Sequence, residues 1–135
     1  MTLDERQAAW REKLNLLPDP QERLSALVNR RARLEPLHAD ERNDGFLVPG
    51  CVSRVWLAGE VADGRLRLRV DAEAGIVKGL ANFLCELCDG VAAEDAAKFQ
   101  PMLLEEVGIT RMLTPTRLNG LHQVARRIRK LAGRE

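Results

Sequence analysis

The stretch Ala62-Asp63-Gly64-Arg65-Leu66-Arg67-Leu68-Arg69-Val70-Asp71 constrains the fold more than any other part of the chain. Asp-Gly is a strong signal for a tight hairpin turn. After it, Leu66, Leu68 and Val70 alternate with Arg65, Arg67 and Arg69. That two-residue period belongs to a strand with one buried and one wet face, which argues an antiparallel sheet. Before the turn, Val52 to Val61 is rich in β-branched and aromatic residues and reads as the partner strand. The other periodic segments carry helical spacing. A lone hairpin between helices predicts an α+β fold, helix-rich, in two layers. At 135 residues the chain is expected to form a single domain over 1–135 with one core.

The helical segments announce their own ends. Thr2 and Glu5 have capping-box spacing, and a helix is predicted over 3–17, stopped by Pro18. Asp19 caps a second helix, with Pro20 at its first position and Glu22 at its third. Its stripe runs through Leu24, Leu27, Val28, Arg31 and Leu34, and Pro36 ends it. Residues 38–47 read as a loop. Asp71 is placed to cap a helix over about 72–89, with Gly90 as its stop. Short helices are expected near 93–99 and 101–107, the second ended by Gly108. Thr114-Pro115 opens a last helix to about Ala132, with Leu118, Leu121, Val124 or Ala125, Ile128 and Leu131 facing the core.

Charge excludes some function classes. With 21 basic and 20 acidic residues the net charge is +1, so no global field favours nucleic acid or a membrane surface. No apolar run approaches the ~18 residues of a membrane span. The first residues, Met1-Thr2-Leu3-Asp4-Glu5-Arg6, are acidic and lack an apolar segment, so neither a secretory signal nor a basic transit peptide is expected. Three cysteines in such a chain suggest free thiols in a reducing, cytoplasmic compartment.

The chemistry-bearing candidate is Cys51. It follows Pro49-Gly50, a turn signal in which Pro presets φ and Gly accepts the positive φ of a type II turn. A thiol leaving a turn and entering a strand is both accessible and held. Strand parity places Ser53, Val55 and Leu57 on its face and Arg54 on the other. If that face is the core side, the thiol rests inward with a raised pKa. The alternative is an inert buried cysteine.

Cys85-Glu86-Leu87-Cys88 is a C-x-x-C pair, yet no second pair exists for a zinc site. It also lies near a helix C-terminus rather than at the N-terminus a thioredoxin-like site uses. These cysteines read as small core residues. A metal-binding or scaffold role with a third ligand is the alternative. His38 and His122 have no carboxylate or histidine at motif spacing. The run Arg126-Arg127-Ile128-Arg129-Lys130 reads as a solvated helix face, or as a docking surface for an acidic protein.

Three segments resemble one family in order and spacing. They are Val48-Pro49-Gly50-Cys51-Val52-Ser53-Arg54-Val55-Trp56, Asp71-Ala72-Glu73-Ala74-Gly75-Ile76-Val77-Lys78-Gly79-Leu80 and Leu113-Thr114-Pro115-Thr116-Arg117-Leu118-Asn119-Gly120-Leu121. The chain resembles the SufE family of sulfur-acceptor proteins, which includes CsdE, from the first helix to about Leu131. The resemblance implies a compact SufE/IscU-like domain, a small antiparallel sheet covered by helices. It implies that Cys51 accepts a persulfide sulfur from a SufS/CsdA-like cysteine desulfurase, a pyridoxal-phosphate enzyme, and stimulates that enzyme. The sulfur then moves towards iron–sulfur cluster assembly on a SufBCD-like scaffold. The domain itself needs no cofactor or metal and acts as a covalent carrier rather than an enzyme. Arg117 matches an arginine of desulfurase engagement, and Asp71 an aspartate near the cysteine loop. Gly50, Val52 and Arg54 belong to the partner-facing loop. The family commonly has Gln where this chain has Val52, and often where it has Arg54, which bears on partner choice. Allosteric activation without sulfur transfer is the remaining alternative.

Overall fold

The caps read at Thr2, Asp19 and Thr114 form as written. A computed structural model describes residues 1–30, 33–51, 53–73 and 75–133. Helix α1 (Leu3–Leu14) opens with a reciprocal capping box: the Glu5 amide donates to Thr2 Oγ1 at 3.1 Å, and the Thr2 amide to Glu5 Oε1 at 2.8 Å. Helix α2 (Pro20–Val28) begins at Asp19, whose carboxylate accepts from the Glu22 amide at 3.0 Å. It stops at Val28, well before Pro36. Asn29 is a poor helix former, and Arg30 turns away to pair with Glu86 and lie 4.8 Å over the Trp10 ring. Arg31 of the expected stripe lies outside the described residues, and Leu34 is half-buried against the core.

Strands β1 (Val55–Ala62) and β2 (Arg65–Ala72) pair antiparallel, from Val55 opposite Ala72 to Ala62 opposite Arg65. Asp63 and Gly64 both take positive φ, 54° and 75°, so the expected turn is a two-residue hairpin loop. Leu66, Leu68, Val55 and Leu57 are buried, with α3 (Gly75–Cys88) packed on β2 and α6 (Pro115–Ala132) on β1. Between α3 and α6 lie the short helices α4 (Ala93–Ala96) and α5 (Met102–Glu106), after Gly90 and before Gly108, each at φ 81°. The core runs from Phe83 and Leu84 of α3 through Phe99 and Leu103 to Val124 and Ile128 of α6, and Trp10 meets Phe83 edge-on at 5.2 Å. The fold is α+β: among the described residues, a two-stranded antiparallel sheet and six α-helices.

Three expectations change. The first strand starts at Val55, not Val52, because a bend at Ser53 separates it from Cys51. Asp71 does not cap α3. It belongs to β2, opposite Trp56, and its carboxylate accepts from the Ala72 amide and pairs with Arg42 and with Lys78 at 3.3 Å. The sharp φ of 77° at Gly75 starts α3 instead.

The third change concerns Arg69, expected on the wet face. Arg65 and Arg67 are exposed, but Arg69 is only 6% exposed because the 3₁₀ turn Ala39–Glu41 lies over it. A buried guanidinium needs compensating charge. Both oxygens of Glu41 receive it, at 2.9 and 2.7 Å, and Glu60 supplies a second pair of contacts at 2.9 Å. The Arg69 hydrogen bond is the main cause that lowers the Glu41 pKa to about 2, against a smaller opposing effect of burial.

This pair anchors residues 39–46 to the sheet, and its pH signature has a defined sign. A carboxylate whose folded pKa is depressed stabilises the fold above its unfolded value of about 4.3 and loses that stabilisation as pH falls. Stability should therefore drop between about pH 4.5 and pH 2, and in Glu41→Gln that drop should shrink. At pH 7, Glu41→Gln should cost about 2 kcal/mol, below the 3–5 kcal/mol of a fully orphaned buried charge because Glu60 remains. Urea unfolding at a series of pH values measures both.

Candidate functional site: the Cys51 recess

The segment 47–51 is clasped between the edge of β1 and one stripe of α6. On the sheet side, the Val48 amide donates to Val55 O at 2.8 Å and Leu47 bridges to Trp56. On the helix side, Arg127 Nη2 donates to Leu47 O at 3.0 Å and Asn119 Nδ2 to Gly50 O at 3.3 Å. Positions 119, 123 and 127 are successive turns of the same helix face. Gly50 takes φ 81°, the positive value the Pro-Gly turn demands. A Cβ there would also stand 3.2 Å from Gln123 Cγ, so the loop lies directly on the helix.

Cys51 turns inward at the end of this segment. Its thiol donates to Gly120 O at 3.6 Å, a weak sulfur hydrogen bond. The thiol lies close over this residue: a Cβ on Gly120 would stand 3.4 Å from Cys51 Sγ, in van der Waals contact. Cys51 is half-buried, and burial raises its pKa above the ordinary thiol value. At neutral pH the resting group is therefore a thiol, not the nucleophilic thiolate.

Beside Sγ opens a recess of about 270 Å³. Val77 and Gly120 form its apolar side, and Ser53, Thr114, Thr116 and Arg117 its polar side. Thr114 is the N-cap of α6 and accepts from the Arg117 amide at 3.2 Å. The Arg117 side chain is exposed, and among the described residues its guanidinium has no hydrogen-bond or ion-pair partner.

The structure brings Gly50, Cys51 and Arg117 to one place. Arg54 is exposed and does not line the recess, while its amide donates to Glu73 Oε1 at 2.6 Å. Val52 lies outside the described residues, as does Ala74. Asp71 does not line the recess either. Burial opposes its ionisation, but Arg42, the Ala72 amide and Lys78 outweigh burial and lower its pKa.

Sequence reasoning gave no site role to Val77, Thr116, Asn119 and Gln123, while it had placed Ser53 on the Cys51 face and Arg127 in the basic run. Asn119 sits inside the segment read for Arg117, and its i,i+4 spacing to Gln123 was the available signal. Of the basic run, Arg127 and Arg129 donate to Leu47 O and Phe99 O, while Arg126 and Lys130 remain exposed.

Cys85 and Cys88 lie in the core at 0% exposure, and burial pushes both thiols well up. Among the described residues no three His, Cys, Asp or Glu side chains are grouped to hold a metal ion. Nor, among these residues, is any helix long and apolar enough to cross a membrane.

A family model, SufE: Fe-S metabolism associated domain, matches residues 8–132. The chain belongs to the SufE family. That places it in Fe–S metabolism. It is 29% identical over 113 residues to an uncharacterised SufE-like protein of Synechocystis, covering 84% of this chain and 71% of that protein. Its fold also matches the solution structure of a hypothetical protein from Thermus thermophilus, with a TM-score of 0.76 at 23% identity, covering 94% of this chain and 93% of the other. At that identity the likeness shows the fold alone.

The three thiols should separate cleanly in a reactivity experiment. Iodoacetamide at pH 8 should label Cys51 in the folded protein and reach Cys85 and Cys88 only after unfolding, as read by peptide mass spectrometry. Asn119→Ala removes one hydrogen bond from the clasp. It should raise the Cys51 labelling rate about five-fold, the effect of one bond of about 1 kcal/mol.

Proposed function

We propose that this protein is a sulfur carrier in which Cys51 takes a persulfide sulfur from a pyridoxal-phosphate cysteine desulfurase of the SufS/CsdA kind. The loaded sulfur then passes to an iron–sulfur scaffold of the SufBCD kind, in the cytoplasm. The observation that carries this reading is the Cys51 thiol, half-buried at the end of a Pro-Gly turn and opening onto a recess. Family membership supports the same reading.

The chemistry is thiol–disulfide-type exchange. Cys51 loses its proton and attacks the terminal sulfur of the desulfurase persulfide. A bond forms between Cys51 Sγ and that sulfur. The bond between it and the desulfurase cysteine breaks, and the latter leaves as a thiolate that takes up the proton. The step is redox-neutral and needs no resident cofactor, metal or base on this chain, so the protein acts as a carrier rather than an enzyme.

A desolvated thiol reacts slowly alone. Docking of the partner through Gly50, Arg54 and Arg117, and through Val52 on the family resemblance, supplies what is missing, by drawing the loop off α6 and stabilising the thiolate. Arg117 presents an exposed cation with no partner among the described residues, suited to an acidic group on the desulfurase. Asp71 acts indirectly, through Arg42 stacked on Trp56, to which Leu47 bridges.

The test is incubation with a cysteine desulfurase and cysteine, without added reductant. Intact-mass spectrometry should show a gain of about 32 Da, one sulfur from the exchange, mapped to Cys51 and absent from Cys51→Ser. An adduct that persists in Cys51→Ser, or full stimulation of the desulfurase by that variant, would overturn sulfur transfer through Cys51. In the same assay Arg117→Ala should weaken desulfurase binding about five- to ten-fold, the scale of one interfacial ion pair.

A further inference from the structure

Loading changes the charge of the group in the recess. At rest Cys51 is a neutral thiol, and its one proton points at Gly120 O, 3.6 Å away. The terminal S–H of a persulfide is a stronger acid than a thiol, so the loaded side chain is a perthiolate anion at neutral pH. It has no proton for Gly120 O, and that carbonyl would now face negative charge. The terminal sulfur therefore needs donors in another direction.

The recess supplies them. The Ser53 and Thr116 hydroxyls and the Arg117 guanidinium line it together with Cys51, and among the described residues none of the three has a hydrogen-bond or ion-pair partner. Arg117 is the cation among the lining residues. In the first turn of α6, Pro115 has no amide hydrogen and the Arg117 amide is taken by Thr114 Oγ1, which leaves the Thr116 amide as a neutral donor beside the Arg117 charge. Space is sufficient. About 270 Å³ far exceeds one water's share of ~30 Å³, the scale of a single added atom. Val77 and Gly120 add apolar surface to the lining.

We propose that the recess is a perthiolate seat, in which Arg117, assisted by Ser53 and Thr116, holds the terminal sulfur of loaded Cys51. The proposal rests on the sulfur-carrier reading and deepens it, giving Arg117 a role that needs no desulfurase. The recess then holds a neutral thiol against Gly120 before loading and an anion against Arg117 after it.

The test removes the partner enzyme. Inorganic polysulfide loads Cys51 directly: the thiolate attacks the terminal sulfur of a hydropolysulfide (HS–Sn⁻), a Cys51 S–S bond forms to that sulfur, its bond to the rest of the chain breaks, and the polysulfide one sulfur shorter leaves. After desalting, the half-life of the Cys51 persulfide in dithiothreitol is followed by mass spectrometry. The wild type should outlast Arg117→Ala by about five-fold, the scale of a partly desolvated ion pair of about 1 kcal/mol. Arg117→Lys should restore most of that protection, and Ser53→Ala should shorten the half-life about two-fold. Salt at 1 M, where the screening length is about 3 Å, should erase the difference between wild type and Arg117→Ala.

Equal half-lives in wild type and Arg117→Ala would overturn the seat, as would equal losses in Arg117→Lys and Arg117→Ala, or a Cys51 that polysulfide cannot load. These outcomes are separable from failure of the carrier reading. A protein that holds polysulfide-derived sulfur through Arg117 yet takes none from a desulfurase would keep the seat and lose the function.

Discussion

A two-stranded sheet has two open edges, and this fold must cover both. A hairpin is marginal in water, and unpaired edge amides invite association. On the β2 side the loop after α3 does the covering: the Leu66 amide donates to Val91 O at 2.9 Å, the Gly90 amide to Leu66 O at 2.7 Å, and Asp89 accepts from the Leu68 amide at 2.9 Å. On the β1 side the cover is Leu47-Val48, tied by the Val48 amide to Val55 O. That second cover runs straight into Pro49-Gly50-Cys51. The position of the reactive thiol is thus a consequence of sheet-edge protection. The chain must turn sharply at Gly50 to pass from covering β1 to becoming it, and Cys51 is the first side chain after the turn.

The same requirement explains why one thiol differs from the other two. Cys85 and Cys88 belong to a helix whose apolar face has nowhere else to go, so both are enclosed and their thiolates inaccessible. Cys51 sits where cover meets strand, half-buried beyond the core residue Val48, on a turn held to α6 by a few hydrogen bonds. Such segments open at a small fraction of the global unfolding free energy. Burial raises the Cys51 pKa, and opening the clasp would return the thiol to water. The result is a thiol that is quiet when closed and reactive when drawn out.

Local signals in the sequence were legible, and tertiary ones were not. Thr2-Glu5, Asp19-Pro20, Asp63-Gly64, Pro49-Gly50 and Thr114-Pro115 each encode a cap or turn within four residues, and each forms as read. Arg69 was misplaced because its burial depends on Glu41, 28 residues earlier, crossing over the sheet. Alternation along β2 specifies a face but not what covers it. Asp71 had the right spacing for a cap, but strand pairing held its backbone through Ala72 and left the turn to Gly75. At the site, Cys51 and Arg117 were read from short motifs, and Ser53 was placed on the Cys51 face. Parity left the resting direction of the thiol open, and the bend at Ser53 takes Cys51 out of the strand. Asn119 and Gln123 were not legible, because only the docking of α6 against the loop gives them a role.

How the charges are committed separates the scaffold of the site from its working parts. Beneath the loop, Glu41 and Glu60 neutralise Arg69, and Arg42 and Lys78 neutralise Asp71. Arg42 also lies 4.8 Å over the Trp56 ring, and Trp56 is the residue to which Leu47 bridges. Asp71 therefore reaches the cysteine loop through Arg42, Trp56 and Leu47 rather than by facing the thiol, and its charge is already matched from within. On the recess side the pattern reverses. Arg117 stands beside a half-buried thiol, and among the described residues its guanidinium is uncommitted. The ion pairs that hold the sheet need nothing from it, so its charge is left to the recess and the solvent.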